Sequence, residues 1–158
     1  MIVHPIYPVF DSNSRILILG SFPSVKSREE GFFYGHPQNR FWKVISAVFE
    51  KDIPKTVEQK REFLLMNNIA LWDVIASCEI TGSSDSSIKD VTPNDLQVIL
   101  DTAPIEKIFV NGRTAEKFYN QYTFPKIKVK AVCLPSTSPA NAQWTLNRLI
   151  AEWKQIKF

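Results

Sequence analysis

Two short segments concentrate the side chains able to do chemistry. The first runs Tyr34-Gly35-His36-Pro37-Gln38-Asn39-Arg40-Phe41-Trp42, the second Leu134-Pro135-Ser136-Thr137-Ser138-Pro139-Ala140-Asn141. Between them they offer an imidazole, amides, hydroxyls and a guanidinium, groups that donate and accept hydrogen bonds and can position a water. An asparagine amide is no useful base near pH 7, so Asn39 would act by donating a hydrogen bond or by holding a water. Gly20-Ser21-Phe22-Pro23-Ser24 and Asp73 complete the set, Asp73 as a carboxylate acceptor. Each cluster follows, or nearly follows, an apolar run that reads as a buried strand. Ligands of open α/β sheets bind at those carboxyl ends, so the pattern marks a site region without yet naming a reaction.

The same residues have plainer readings. Asn39 can bond its own backbone at a helix start, and Asp73 can cap a turn. His36 can pack ahead of Pro37, Ser138 can simply cap a helix, and Asn111 can hold a strand-end turn. Arg40 and Arg113 can be solvated. Metal chemistry finds little support: His4 and His36 make a poor ligand set, and Cys78 and Cys133 cannot supply the four thiolates of an iron–sulfur cluster. The two cysteines read as buried free thiols. No metal and no cofactor are expected.

The elements that must hold these clusters alternate. Ile16–Leu19, Ile69–Val74, Ile108–Val110 and Val129–Leu134 are rich in Ile, Val and Leu without polar alternation, as suits parallel strands covered on both faces. Phe41, Trp42, Ile45, Val48 and Phe49 form a helical stripe with Pro37 at its start. Thr56 and Gln59 form a capping box before a helix carrying Phe63 and Leu64. Thr92-Pro93-Asn94-Asp95 reads as a helix start ahead of Leu96, Ile99 and Leu100. A helix after Gly112 would bury Ala115, Phe118 and Tyr119. A last helix shows Leu146, Leu149, Ile150, Trp153 and Ile156 on one side, with Ser138 as N-cap and Pro139 as first residue. Lys126, Lys128 and Lys130 alternate, as on one face of an extended edge. Thr81–Ser87 reads as a polar loop, mobile or facing a ligand.

This order predicts an α/β fold: three α/β/α layers around a central four-stranded parallel sheet. The chain has 158 residues, enough for one domain over 1–158 with a core that needs no staples. With no apolar run near the about 18 residues of a membrane span and no signal-peptide layout, the expectation is a soluble cytoplasmic protein with no membrane partner. The net charge of +3 is compatible with a nucleic-acid partner.

Gly20–Ser24 followed by Gly31-Phe32-Phe33-Tyr34-Gly35-His36-Pro37-Gln38-Asn39-Arg40-Phe41-Trp42 resembles the uracil-DNA glycosylase superfamily. The His-Pro-x-Asn-Arg-Phe-Trp stretch is similar to the mismatch-specific uracil-DNA glycosylases. With Leu71-Trp72-Asp73-Val74, Ser84-Asp85-Ser86-Ser87-Ile88 and the Pro-Ser-Thr-Ser-Pro-Ala-Asn block, the whole is most similar to the hypoxanthine-DNA glycosylase branch. The resemblance covers residues 14 to 150, in order.

It implies a uracil-DNA glycosylase-like fold and hydrolysis of the N-glycosidic bond of a deaminated base, hypoxanthine before uracil. Double-stranded DNA, and single strands as a further substrate, would present the base flipped out to a monomer. Asn39 would carry catalysis. Gly20, Ser21, Phe22, Tyr34 and Asp73 would bind the base, Tyr34 as stacking platform and Asp73 accepting from N1–H. His36, Ser136, Thr137, Ser138, Pro139 and Asn141 would meet DNA, with phosphate held at the expected helix start. The chain departs from many members in two places. Phe22 stands where they hold or activate water, and Leu134 where a histidine stabilises the leaving base; the hypoxanthine branch lacks both. No lysine falls in a matching motif as a Schiff-base nucleophile, so an abasic product without strand cleavage is expected. Mismatch-type uracil excision, a DNA-binding module with little catalysis, and an enzyme of free nucleosides are the alternatives.

Overall fold

The computed structural model describes residues 1–157; Phe158, the last residue of the domain expected over 1–158, lies outside the described residues. Four parallel strands form the central sheet: β2 (Ile16–Gly20), β3 (Ile69–Asp73), β6 (Lys107–Asn111) and β7 (Ala131–Leu134), in the order β3-β2-β6-β7. Their side chains alternate between two separate cores. Ile16, Ile18, Ile69, Leu71 and Phe109 face one; Leu17, Leu19, Ala70, Ile108 and Val110 face the other. Burial on both faces is why these runs carry no polar alternation.

The first core is closed by α2 (Phe41–Val48), α3 (Val57–Met66) and α7 (Leu146–Trp153), through Phe41, Trp42, Ile45, Phe63, Leu64, Leu149 and Trp153. The second is closed by α4 (Gln97–Leu100) and α5 (Arg113–Phe118), through Ile99, Ala115 and Phe118. The layered α/β/α expectation therefore holds, and α3 begins with the capping box read at Thr56 and Gln59.

An additional three-stranded antiparallel sheet joins the second core. It consists of β1 (Ile2–Val3), β4 (Ile75–Glu79) and β5 (Lys89–Pro93), in the order β1-β4-β5. Thr92 and Pro93 therefore end a strand instead of starting a helix, and α4 begins only at Gln97, whose N–H is held by the Asp95 carboxylate.

Three other sequence expectations are corrected. α7 begins at Leu146 with Thr145 as its N-cap, accepting from Arg148 N. Ser138 instead folds a turn, its hydroxyl accepting from Ala140 N at 3.1 Å. α2 begins at Phe41, four residues beyond Pro37, because the Asn39 side chain accepts from Phe41 N. The lysine alternation is not an extended edge: Lys126 lies in α6 (Phe124–Ile127) and Lys128 turns the chain with φ 61°. A further helix, α1 (Val25–Glu30), follows β2 and is capped by Ser24.

Candidate active site

The carboxyl ends of the four parallel strands open into a cavity of about 520 Å³, within the range of small-molecule sites. β2 delivers Gly20 and the Ser21–Ser24 turn, β3 delivers Asp73, β6 delivers Asn111, and the loop after β7 delivers Ser136 to Ala140. Tyr34, His36 and Asn39 enter from the segment before α2, and Ser83 to Ser86 from the polar loop. That loop is stapled to α1. Val25 N–H donates to Ser83 Oγ at 2.9 Å, and Arg28 Nη2 donates to the Gly82 carbonyl at 2.7 Å. The expectation of a ligand-facing loop fits this placement.

Asp73 is the more buried of the two carboxylates in the lining. Its side chain is 5% exposed, and its Oδ2 accepts from His4 Nε2 at 2.8 Å. Asn94 Nδ2 pins the strand end by donating to the carbonyls of Asp73 and Ile75. Opposite Asp73 in the β2–β3 register stands Gly20. A Cβ at Gly20 would press into Asp73 Oδ1 and lie 2.9 Å from the Tyr34 hydroxyl. Glycine is needed here for close approach, since both oxygens crowd one point.

Tyr34 adopts φ 54°, an uncommon conformation for a bulky residue. Its ring stacks on Phe41 at 4.1 Å between centroids, so one aromatic face is already covered. The buried hydroxyl has no hydrogen-bond partner of good geometry. Burial, and next the Asp73 charge, push its pKa above the usual tyrosine value, while Asn111 pulls in the opposite direction. Asp85 stands at the mouth of the pocket. Partial burial raises its carboxyl, hydrogen bonds from Thr114 and Ser21 oppose that rise, and the Asp73 charge adds to it.

Asn39 shows the backbone bond that its type allows. Its Oδ1 accepts from Phe41 N–H at 2.9 Å. This fixes the amide's orientation and leaves its Nδ2 donors outside that bond. His36 Nδ1 accepts from Gln38 N–H at 3.1 Å, which leaves Nε2 as the ring's donor. Of the expected site residues, Gly20, Ser21, Phe22, Tyr34, His36, Asn39, Asp73 and Ser136 to Pro139 line the cavity, and Asn141 does not. Its side-chain amide donates to the Ser136 carbonyl at 3.0 Å.

The two loops are physically joined. Arg40 is no solvated arginine: its guanidinium donates to the carbonyls of Ser138, Asn141 and Trp144, and its backbone N–H to the Thr137 carbonyl. Asn111 exchanges two hydrogen bonds with Thr137 at 3.0 and 3.1 Å, the turn-holding role read for it. Thr137 is buried, so its hydroxyl is spent inside the loop. Gly112, with φ 95°, packs against Ser136 where a Cβ would come within 2.9 Å. Phosphate binding at a helix amino terminus loses its basis, because Ser136 to Ser138 lie in irregular chain well before α7. The hydroxyls of Ser136 and Ser138 accept from Ser138 N and Ala140 N, which leaves their own O–H groups as donors.

A family model described as the Uracil DNA glycosylase superfamily matches residues 7–157. The chain belongs to the uracil-DNA glycosylase superfamily. It is 36% identical over 150 residues to a protein of Methanosarcina acetivorans named hypoxanthine DNA glycosylase, covering 94% of this chain and 93% of that one. A Methanosarcina barkeri protein of the same name is 36% identical over 113 residues, covering 70% and 72%. The solution NMR structure of a candidate uracil DNA glycosylase from M. acetivorans superposes with a TM-score of 0.83 at 34% identity, covering 99% of this chain and 96% of that one. DNA is the substrate that superfamily membership implies, and among the described residues no helix is long and apolar enough to cross a membrane.

Within this superfamily member, the positions of Phe22 and Leu134 are apolar in fact as well as in type. Both are buried, and Leu134 packs in the first core. Two contributors had no site role in the sequence reading. His4 reaches Asp73 from the amino terminus, and Asp85, quoted there only within the Ser84–Ile88 resemblance block, lines the pocket.

Proposed function

We propose that the chain is a DNA glycosylase that releases hypoxanthine from deoxyinosine by hydrolysis, leaving an abasic site. The two Methanosarcina relatives named hypoxanthine DNA glycosylase support this reading. The observation that carries it is the pairing of a buried acceptor, Asp73, with a free amide donor, Asn39, across one pocket. Hypoxanthine presents N1–H as a donor, which a carboxylate accepts. Adenine presents a bare N1 there and is repelled.

Breaking the N-glycosidic bond puts negative charge on the base and positive charge on the sugar. Asn39 Nδ2–H donates to the base as that charge develops, an interaction stronger in the transition state than before it. The Asp85 carboxylate, in the same lining, favours the developing cation by its charge. Tyr34, with Phe41 behind it, forms the aromatic wall against which the base lies. Phe22 and Pro139 line the apolar remainder, and Gly20 and Ser21 form the floor. The base enters by flipping out of a duplex or from a single strand. Ser136 and Ser138 hydroxyls and His36 Nε2–H supply donors for the flanking phosphates. Among the described residues no lysine lines the cavity, which supports release of the base without a Schiff base and without strand cleavage. We place this activity in a monomer, over one domain, in the cytoplasm.

A mass-spectrometric assay for free hypoxanthine after incubation with an inosine duplex tests the reading; release of no base from inosine refutes it. Uracil excision is the second reading, favoured by one feature: the uracil N3–H is also a donor, flanked by two carbonyls, and suits the same Asp73 acceptor. A uracil duplex run in parallel ranks the two.

A further inference from the structure

We propose that His4 is the positioning residue of the base reader, fixing which oxygen of Asp73 faces the pocket. The inference rests on the reading of Asp73 given above and goes beyond it. His4 lies 69 positions from Asp73 in sequence, yet its Nε2 sits 2.8 Å from Asp73 Oδ2, and both side chains are at most 5% exposed. The opposite ring nitrogen is also occupied: Ile6 N–H donates to Nδ1 at 3.1 Å. A nitrogen that accepts a hydrogen bond carries no proton, so the ring is held in its Nε2–H tautomer and donates to Asp73.

The ring itself has little freedom. Phe22, Phe33 and Trp72 surround it at centroid distances of 5.8, 6.1 and 6.5 Å. The backbone on either side is tied down, His4 N–H to the Ala76 carbonyl at 2.7 Å and Ile2 and Val3 in register with Cys78 and Ser77. The edge strand β1 thus delivers a donor to the back of the pocket. With Oδ2 engaged, Oδ1 is the oxygen left on the Gly20 side, beside the unpartnered Tyr34 hydroxyl. Without His4 the carboxylate can rotate about its terminal bond and present either oxygen at another angle. A reacting group held about 1 Å out of place loses roughly 100-fold in rate.

The experiment is a double-mutant cycle read in kcat/KM on an inosine duplex, alongside nitrogen NMR of the His4 ring. His4→Leu lowers kcat/KM roughly 10- to 100-fold, His4→Gln restores most of it by supplying an amide donor, and His4→Leu combined with Asp73→Asn is no slower than Asp73→Asn alone. The ring of the wild type shows the Nε2–H tautomer, independent of any substrate. Equal kcat/KM for His4→Leu and wild type, or multiplying effects in the double variant, overturns the positioning role. So does an Nδ1–H tautomer. Wild-type chain that releases no hypoxanthine overturns the reading of the pocket instead, so the two failures are distinguishable.

Discussion

The guanidinium of Arg40 holds the backbone carbonyl of Ser138 at 3.2 Å, 98 positions away in the chain. The same group reaches the carbonyls of Asn141 and Trp144, and Arg40 N–H bonds the Thr137 carbonyl at 3.0 Å. One side chain therefore makes the segment before α2 and the loop after β7 a single rigid unit. Carbonyls in a turn have no strand or helix partner, and a planar, permanently charged fork satisfies several at once.

Arg40→Lys is accordingly a severe change. An ammonium cannot span three carbonyls, and we expect a loss of roughly 2–4 kcal/mol in unfolding free energy, in line with several charge-assisted hydrogen bonds. Chemical denaturation measures it. A variant as stable as wild type would show that the clamp holds nothing together.

Asn39 does two jobs that substitution can separate. Asn39→Asp keeps an oxygen to accept from Phe41 N–H and removes the Nδ2 donors. It should melt near the wild-type temperature yet lose roughly 100- to 1,000-fold in single-turnover rate, the usual effect of deleting a transition-state donor. Asn39→Ala should lose the same activity and, in addition, about 1 kcal/mol of helix-start stability. Full activity in Asn39→Asp would contradict the donor role.

Gly20→Ala tests the floor of the pocket. The added methyl presses into Asp73 Oδ1 and approaches the Tyr34 hydroxyl, so the carboxylate must shift. Inosine excision should fall at least about tenfold, as expected for a displaced reader, while circular dichroism stays that of the wild type. Unchanged excision would mean that Asp73 does not touch the base.

The Tyr119 phenol gives a pH dependence. It is buried, donates to the Val129 carbonyl, and is pushed up to about 12 by burial. In the unfolded chain a tyrosine ionises near about 10. The folded value is the higher one, so its stabilising effect is complete below about pH 10 and is lost as the pH rises through about 12. Thermal melts across that window should fall, and fall less steeply in Tyr119→Phe.

The parallel sheet could be read from the sequence because strands buried on both faces leave unbroken Ile, Val and Leu runs. The second sheet could not. Residues of β5 are mostly exposed or half-buried, and its pairing with β4 shifts register twice, so no period-2 signal survives. Ser138-Pro139 is a sound helix-start pattern that folds a turn here, because Arg40 takes the carbonyls of Ser138 and Asn141. The motifs around Asn39 and Ser136 were visible as unusual composition, and Tyr34, His36, Asn39 and Ser136 to Ala140 proved to line one cavity, while Asn141 does not. His4 was invisible as part of the site: its partner is remote in sequence, and only the pairing of β1 with β4 brings it to the back of the pocket.

The most direct test of the account is alkali-dependent cleavage of duplexes carrying one inosine or one uracil, with Asn39→Asp as control. A break at inosine is expected only after alkali, faster than any at uracil and absent with Asn39→Asp. No break at inosine, or a break without alkali, would contradict it.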